Sequence, residues 1–259
     1  MSKIKQAFTD GKAFIAFLTA GDPCADKTVE YILAMEQAGA DLIEIGIPFS
    51  DPTAEGIVIQ EANIRALKAG MTTEGVFGIV EQVRAKSQVP LAFLTYINPV
   101  LYYGYEAFFK RCGELGVDGI IIPDVPYEEK AEIAEIAAAH GVDLISLIAP
   151  TSEQRIQMIA REATGFIYVV SSMGVTGMRG NITTDLNRMI LAIREVSDTP
   201  AAIGFGINKP EQAQAMATIA DGAIVGSAIV KIIEQYGEEA EPVLREYVSS
   251  MKRAVQNIV

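Results

Sequence analysis

Glu44 is the residue whose position most invites chemistry. It falls inside the apolar run Leu42-Ile43-Glu44-Ile45, where a carboxylate is costly unless it is paired, hydrogen-bonded or protonated. Burial also raises its pKa, which suits a carboxyl group to general acid–base work near neutral pH. Glu44 is therefore the first candidate catalytic residue; a hydrogen-bonded structural carboxylate is the plainer alternative. The loop that follows, Pro48-Phe-Ser-Asp-Pro-Thr-Ala-Glu-Gly56, adds Asp51 and Glu55. Acids in loops are most often simply solvated, so on its own neither stands out.

Two further segments offer backbone rather than side chains. Ile203-Gly-Phe-Gly-Ile207 and Ile224-Val-Gly-Ser-Ala228 each place glycine at the end of an apolar run. Without a Cβ, backbone N–H groups can close on a phosphate, and a following helix N-terminus adds partial positive charge. Gly206, Gly226 and Ser227 are candidate phosphate ligands, with tight turns as the simpler reading. A third segment, Ser171-Ser-Met-Gly-Val-Thr-Gly-Met-Arg-Gly-Asn181, carries three glycines among polar residues. It suits a lid that closes on substrate, or an ordinary connection.

Elimination narrows the chemistry. The sole histidine, His140, precedes Gly141 at an expected helix end, which reads as structural. Metal-assisted cleavage wants several such ligands, so no metal site is expected. Schiff-base chemistry needs a lysine on an interior strand position, and Lys12 and Lys209 fall outside the expected strands. Carboxylate acid–base catalysis on a phosphorylated small molecule is what remains.

The elements that must position these groups alternate along the whole chain. Apolar runs near Phe14–Leu18, Leu42–Ile45, Leu91–Leu94, Gly119–Ile122, Leu144–Ile148, Phe166–Val170, Ala201–Gly204 and Ala223–Val225 read as strands covered on both faces. Between them lie helical patterns such as Thr28–Ala38, Gln60–Lys68, Glu128–Ala139, Gln154–Arg161 and Leu186–Glu195. Asp26 and Ser152 are expected to cap helices, and Gly39, Gly116 and Gly141 to end them. The strands recur at roughly thirty residues, the size of one strand–helix–strand unit. The expected fold is one (β/α)8 barrel (a TIM barrel) over residues 1–259, with a short N-terminal helix covering the barrel bottom. An open doubly wound sheet is the runner-up. Catalytic groups in such barrels gather where strands meet the following loops, which is where the candidates fall.

Composition agrees. The chain has 259 residues, 50% hydrophobic and 21% charged, enough apolar side chain for a large core. Its formal net charge of -12 repels nucleic acid. No run is long enough to cross a bilayer, and Met-Ser-Lys-Ile-Lys-Gln lacks the apolar core of a signal peptide. Two cysteines, Cys24 and Cys112, fit a reduced, cytoplasmic setting.

Five motifs in register resemble the tryptophan synthase alpha subunit family. They are Leu42-Ile-Glu-Ile-Gly-Ile-Pro-Phe-Ser-Asp-Pro52, Ile122-Pro-Asp-Val-Pro126, Gly174-Val-Thr-Gly177, Gly204-Phe-Gly-Ile207 and Val225-Gly-Ser-Ala228. The resemblance implies retro-aldol cleavage of indole-3-glycerol phosphate to indole and glyceraldehyde 3-phosphate. By position it makes Glu44 the main acid/base and Glu55 the group that holds the indole N–H. It assigns the phosphate to Gly177, Gly206, Gly226 and Ser227, the indole pocket to Phe17, Leu94, Tyr168 and Phe205, and Thr176 to the closing lid. It also implies a linear α2β2 complex in which the beta subunit, not this chain, carries pyridoxal phosphate and receives indole for tryptophan synthesis. The loop Pro48–Glu55 and the region of Asp124 would face that partner, making Asp51 a signalling residue, and Tyr102-Tyr-Gly-Tyr105 is either interface or a rim aromatic cluster. The chain departs from the family in having Glu55 for the usual aspartate and Ile57 for the usual proline. Ser172 and Met173 also replace a stretch that often carries a basic residue. A free-standing lyase and a non-catalytic phosphate-binding allosteric subunit remain as alternatives.

Overall fold

The computed structural model describes residues 3–171, 179–204 and 206–257. Among the described residues nine parallel strand segments form one sheet: β1 (Ala13–Thr19), β2 (Leu42–Gly46), β3 (Leu91–Leu94), β4 (Gly119–Ile121), β5 (Asp143–Leu144), β6 (Ser146–Ile148), β7 (Ile167–Val170), β8 (Ala201–Gly204) and β9 (Gly222–Val225). Their spatial order is β5-β4-β3-β2-β1-β9-β8-β7-β6. The two ends of that order are one stretch of chain interrupted only at Ile145, whose N–H still donates to the Ile120 carbonyl at 2.9 Å. The sheet is therefore a barrel with eight positions, and the expected fifth strand is split: β5 pairs with β4 and β6 with β7.

Because successive side chains on a strand point to opposite faces, one set fills the barrel and the other meets the helices. Ile15, Leu42, Ala92, Ile121, Ile145, Phe166, Ala202 and Ile224 form the interior cluster, together with Ile4 and Ala7 from below. Phe14, Ala16, Leu18, Ile43, Ile45, Phe93 and Ile203 belong to the outer cluster, packed under helices. Burial on both sides explains why the strands read as unbroken apolar runs. The N-terminal cover is a 3-10 helix, Ile4–Phe8, whose Ile4 is fully buried. A Cβ on Gly119 would stand 2.5 Å from Ile4 Cδ1, so the missing side chain makes the socket for this plug.

The surrounding helices are α1 (Ala25–Gln37), α2 (Ile57–Lys68), α3 (Thr73–Arg84), α4 (Ile97–Tyr103), α5 (Tyr105–Leu115), α6 (Ala131–Ala139), α7 (Glu153–Arg161), α8 (Arg179–Arg194), α9 (Pro210–Ile219), α10 (Ser227–Tyr236) and α11 (Glu241–Gln256). Ser152 caps α7 as expected, its hydroxyl accepting the Arg155 N–H. Asp26 does not cap: it lies in the first turn of α1, behind an extended Cys24 at the N-cap. There the acid faces the positive end of the helix dipole without bonding the backbone. Gly39, Gly116 and Gly141 follow helix ends at φ +106, +71 and +74, where a Cβ would be strained. No described helix is long and apolar enough to cross a membrane.

Candidate active site

Glu44 lies on the interior face of β2, level with Phe17 of β1 and Ala92 of β3. It is 1% exposed, and its Oε1 has no hydrogen-bond partner among the described residues. Burial pushes its carboxyl pKa up to about 8. Burial disfavours the charged form, and no described charge offsets it, so the group is mainly protonated at neutral pH. It can give up a proton and take one back, which is what an acid/base group must do.

The walls around it are apolar and closely fitted. Two residues above Glu44 on the same face, Gly46 leaves room for the Phe17 ring; a Cβ there would lie 2.8 Å from Phe17 Cζ. The same ring reaches Gly226, where a Cβ would stand 3.2 Å from Phe17 Cδ1. Phe17 thus extends from the acid's own strand to the start of α10. Leu94, half-buried at the end of β3, packs both with Phe17, Ile59 and Val230 and with the barrel interior that includes Tyr168. Tyr168 needs the bare backbone of Gly204, since a Cβ there would come within 2.5 Å of its hydroxyl oxygen. Its phenol is kept strongly protonated, first by burial and then by the charge of Glu44. Phe17, Leu94 and Tyr168 are therefore gathered with Glu44 at one end of the barrel interior.

Glu55 is held differently. It sits in the loop just ahead of α2, half-buried, with Oε2 accepting from Asn63 Nδ2 at 2.7 Å. Gln60 Nε2 donates to its backbone carbonyl at 2.7 Å. Burial raises the Glu55 carboxyl above its ordinary range, while the Asn63 amide and then the Tyr96 hydroxyl pull it back. Tyr96 itself is buried at the N-cap of α4, and its hydroxyl oxygen accepts the Ala54 N–H at 3.1 Å. Its phenol is pushed up to about 12 by burial, opposed by that backbone bond and reinforced by Glu55 and Asp124. Asp124 in turn accepts the Ile97 N–H at 3.0 Å. Asp51 is exposed and takes a hydrogen bond from Ser50.

The third corner is built of backbone. Gly226 occupies the N-cap of α10, no side chain caps that helix, and Ser227 is its first residue and exposed. Gly206, also exposed, holds φ +78, a conformation open to glycine and strained for other residues. Free N–H groups at a helix start beside such a turn can take an anion. Thr176, Gly177 and Phe205 lie outside the described residues, as does most of the 171–181 segment.

Other sequence expectations resolve plainly. His140 follows α6 and its Nε2 lies 2.8 Å from Glu106 Oε1, far from Glu44 in its bonding and at a helix end. Lys12 donates to the Ala220 carbonyl at 2.6 Å, and Lys209 is the N-cap of α9. Among the described residues no cluster of three or more His, Cys, Asp or Glu could hold a metal ion. The tyrosine cluster divides: Tyr102 is 96% exposed, whereas Tyr103 packs on Phe77 and Phe108. Sequence reasoning missed Asn63 and gave Tyr96 no role. The available signal for Asn63 was an amide on the stripe Ile59, Ala62, Ala66 of a helix whose other inward residues are apolar.

The family model for the tryptophan synthase alpha chain matches residues 2–258. The tryptophan synthase alpha chain of Lactiplantibacillus plantarum is 51% identical over 256 residues, covering 98% of this chain and 97% of the relative. The crystal structure of tryptophan synthase subunit alpha from Legionella pneumophila superposes with a TM-score of 0.90 at 35% identity, covering 100% of both chains. A chain of the tryptophan synthase α2β2 complex from the hyperthermophile Pyrococcus furiosus gives a TM-score of 0.84 at 36% identity, covering 93% of this chain and 98% of that one.

Proposed function

The chain belongs to the tryptophan synthase alpha chain family, and we propose that Glu44 and Glu55 divide the acid–base work of its reaction between them. The protein is a lyase that cleaves indole-3-glycerol phosphate to indole and glyceraldehyde 3-phosphate. The bond between ring carbon 3 and the glycerol chain breaks, carbon 3 gains a proton, and the adjacent glycerol hydroxyl loses one as it becomes the aldehyde. In the proposed mechanism the protonated Glu44 delivers the proton to carbon 3. Its carboxylate then takes the hydroxyl proton as the carbon–carbon bond breaks, which restores the starting state. Glu55, ionised, accepts the indole N–H and stabilises the positive charge that spreads into the ring once carbon 3 is protonated.

The observation that carries this reading is the buried Glu44 carboxyl, its Oε1 without a hydrogen-bond partner among the described residues, pushed up to about 8 inside an apolar barrel. A scaffold gains nothing from such a group, while an acid at neutral pH requires it. Phe17, Leu94 and Tyr168, with Phe205, would enclose the indole ring. Gly206, Gly226 and Ser227, with Gly177, would hold the phosphate, and Thr176 would close over it. The glycine at the α10 N-cap supports this placement, because it leaves helix N–H groups free beside the Phe17 ring.

The partner is the tryptophan synthase beta subunit, in an α2β2 assembly like that of Pyrococcus furiosus. In this reading indole passes to the beta subunit, pyridoxal phosphate belongs there, and the alpha reaction proceeds without a cofactor in this chain. The two free cysteines accord with a cytoplasmic setting. The test is indole release from indole-3-glycerol phosphate by the purified chain, with and without its beta subunit. A weak rate that rises on mixing is expected, and Glu44→Gln should lower it about 10²–10⁴-fold. An unchanged rate in Glu44→Gln would remove Glu44 from the mechanism.

A further inference from the structure

Helix α2 turns Ile59, Ala62, Asn63 and Ala66 inward. Three of these are apolar; the fourth is an amide only 3% exposed. A buried amide is costly unless its hydrogen bonds are met. Asn63 Nδ2 donates to Glu55 Oε2 at 2.7 Å, back across eight residues to the loop before the helix. That loop is also fastened through its backbone, by Gln60 to the Glu55 carbonyl and by the Ala54 N–H to Tyr96. Since the Tyr96 oxygen already accepts from Ala54, its own proton is free to be directed at the Glu55 carboxylate.

We infer that Asn63 is a positioning residue for the lyase reaction: from two turns inside α2 its amide fixes the reach and orientation of the Glu55 carboxylate, with Tyr96 as the second tie. The inference rests on Glu55 receiving the indole N–H. A glutamate side chain has three rotatable bonds, so a carboxylate required at one point needs more than one tether. Asn63 supplies a neutral donor, which orders the carboxylate without adding a cation that would compete with positive charge developing on the ring. It also favours the ionised form, and Tyr96 does so to a smaller degree. The charged groups nearby are otherwise engaged. Arg65 of α2 forms a bidentate pair with Asp22 after β1 and faces Glu234 of α10. Asp124 in the turn after β4 bonds the Ile97 N–H and acts on Tyr96. Asp51, in the same loop as Glu55, is bonded to Ser50.

The experiment measures kcat and KM for indole release from pH 5 to 9 in the assembled complex, for wild type, Asn63→Leu and Tyr96→Phe. Asn63→Leu keeps nearly the same size and removes the donor without adding a charge beside Glu55. It should lower kcat about 10-fold at pH 7 with KM changed less than about 2-fold, and move the acid limb of the kcat profile upward by about one pH unit. Tyr96→Phe should move the same limb in the same direction by less, and this second variant decides the matter if the first does not assemble. An acid limb that stays in place in both variants overturns the inference, whether or not kcat falls, because a merely structural amide would leave it there. Failure of the underlying assignment looks different: Glu55→Gln would then keep the wild-type rate.

Discussion

Replacing Glu44 with glutamine should stabilise the protein as it disables it, and the gain should depend on pH. In the folded chain the Glu44 carboxyl is pushed up to about 8 from 4.5 by burial alone. Between those values the unfolded chain has lost this proton and the folded chain keeps it. Folding there binds a proton, so stability falls as pH rises through the interval. The slope is about 1.4 kcal/mol per pH unit, and the two and a half units from 4.5 to 7 amount to about 3 kcal/mol. Below pH 4.5 the term is absent, and above about 8 it is constant. Glutamine has nearly the same shape and no titration, so it removes the pH-dependent term. It also brings an amide that the apolar site leaves short of partners, which adds a roughly constant cost. The quantity to follow is therefore the melting-temperature difference, Glu44→Gln minus wild type, measured from pH 4.5 to 8.5. At about 2–4 °C per kcal/mol for a chain of this size, it should climb by roughly 6–12 °C between pH 4.5 and 7 and level off above 8. A difference that stays flat across that range would refute the claim that Glu44 is held protonated, and with it the acid role assigned to that group.

Other expectations can be checked with the same enzyme. The wild-type rate should fall on the alkaline side with a limb near pH 8, where Glu44 loses its proton, and a limb at ordinary carboxylate values would contradict this. Gly204→Ala sets a Cβ 2.5 Å from the Tyr168 hydroxyl and 2.7 Å from its ring carbons; overpacking should lower stability by about 1–3 kcal/mol in urea melts and raise KM. Gly226→Ala meets Phe17, nearest at Cδ1, 3.2 Å away. Its melting temperature should change by less than about 2 °C, while KM rises about 10-fold because the new methyl stands beside the proposed phosphate site. If KM is unchanged there, the phosphate binds elsewhere.

Much of this architecture could be read along the chain because its causes are local. The strands lie within about two residues of apolar runs such as Phe14–Leu18 and Leu91–Leu94, since a parallel strand buried on both faces admits little else. Gly39, Gly116 and Gly141 declare helix ends through their positive φ. What failed depended on distant partners. The interruption at Ile145 arises where the chain leaves β4 and joins β7, a matter of barrel closure rather than residue type. Asp26 has a capping side chain, but the turn after Pro23 places Cys24 at the helix entry instead. In the site, Glu44 betrayed itself as a charge inside a strand. The fit of Phe17 against Gly46 and Gly226 depends on the stagger of three strands that are remote in sequence. Asn63 passed unnoticed because its role depends on a partner eight residues earlier in the loop ahead of α2.

Two glutamates so near one another in the chain can play opposite roles only if the fold gives them different surroundings. Glu44 rises from a strand, where backbone hydrogen bonds are committed to β1 and β3 and the inward side chain is buried in the barrel. Burial there disfavours the charged form, and the carboxyl is held mainly protonated at neutral pH. Glu55 comes from a loop at the entry to α2, where side-chain donors from that helix and from the start of α4 can reach it. The same residue type is therefore driven far toward the acid in one place, while in the other burial raises it and two hydrogen-bond donors hold that rise back. A retro-aldol step on an indole needs both states at one pH, one to protonate carbon and one to accept an N–H. The barrel supplies the difference through the junction of strand and loop, which sets a dry interior and a polar rim within reach of the same small substrate. On this view the pH range over which the enzyme works is the interval between the two carboxyls. Asn63 and Tyr96 help set its lower edge, and the apolar wall around Glu44 sets its upper edge.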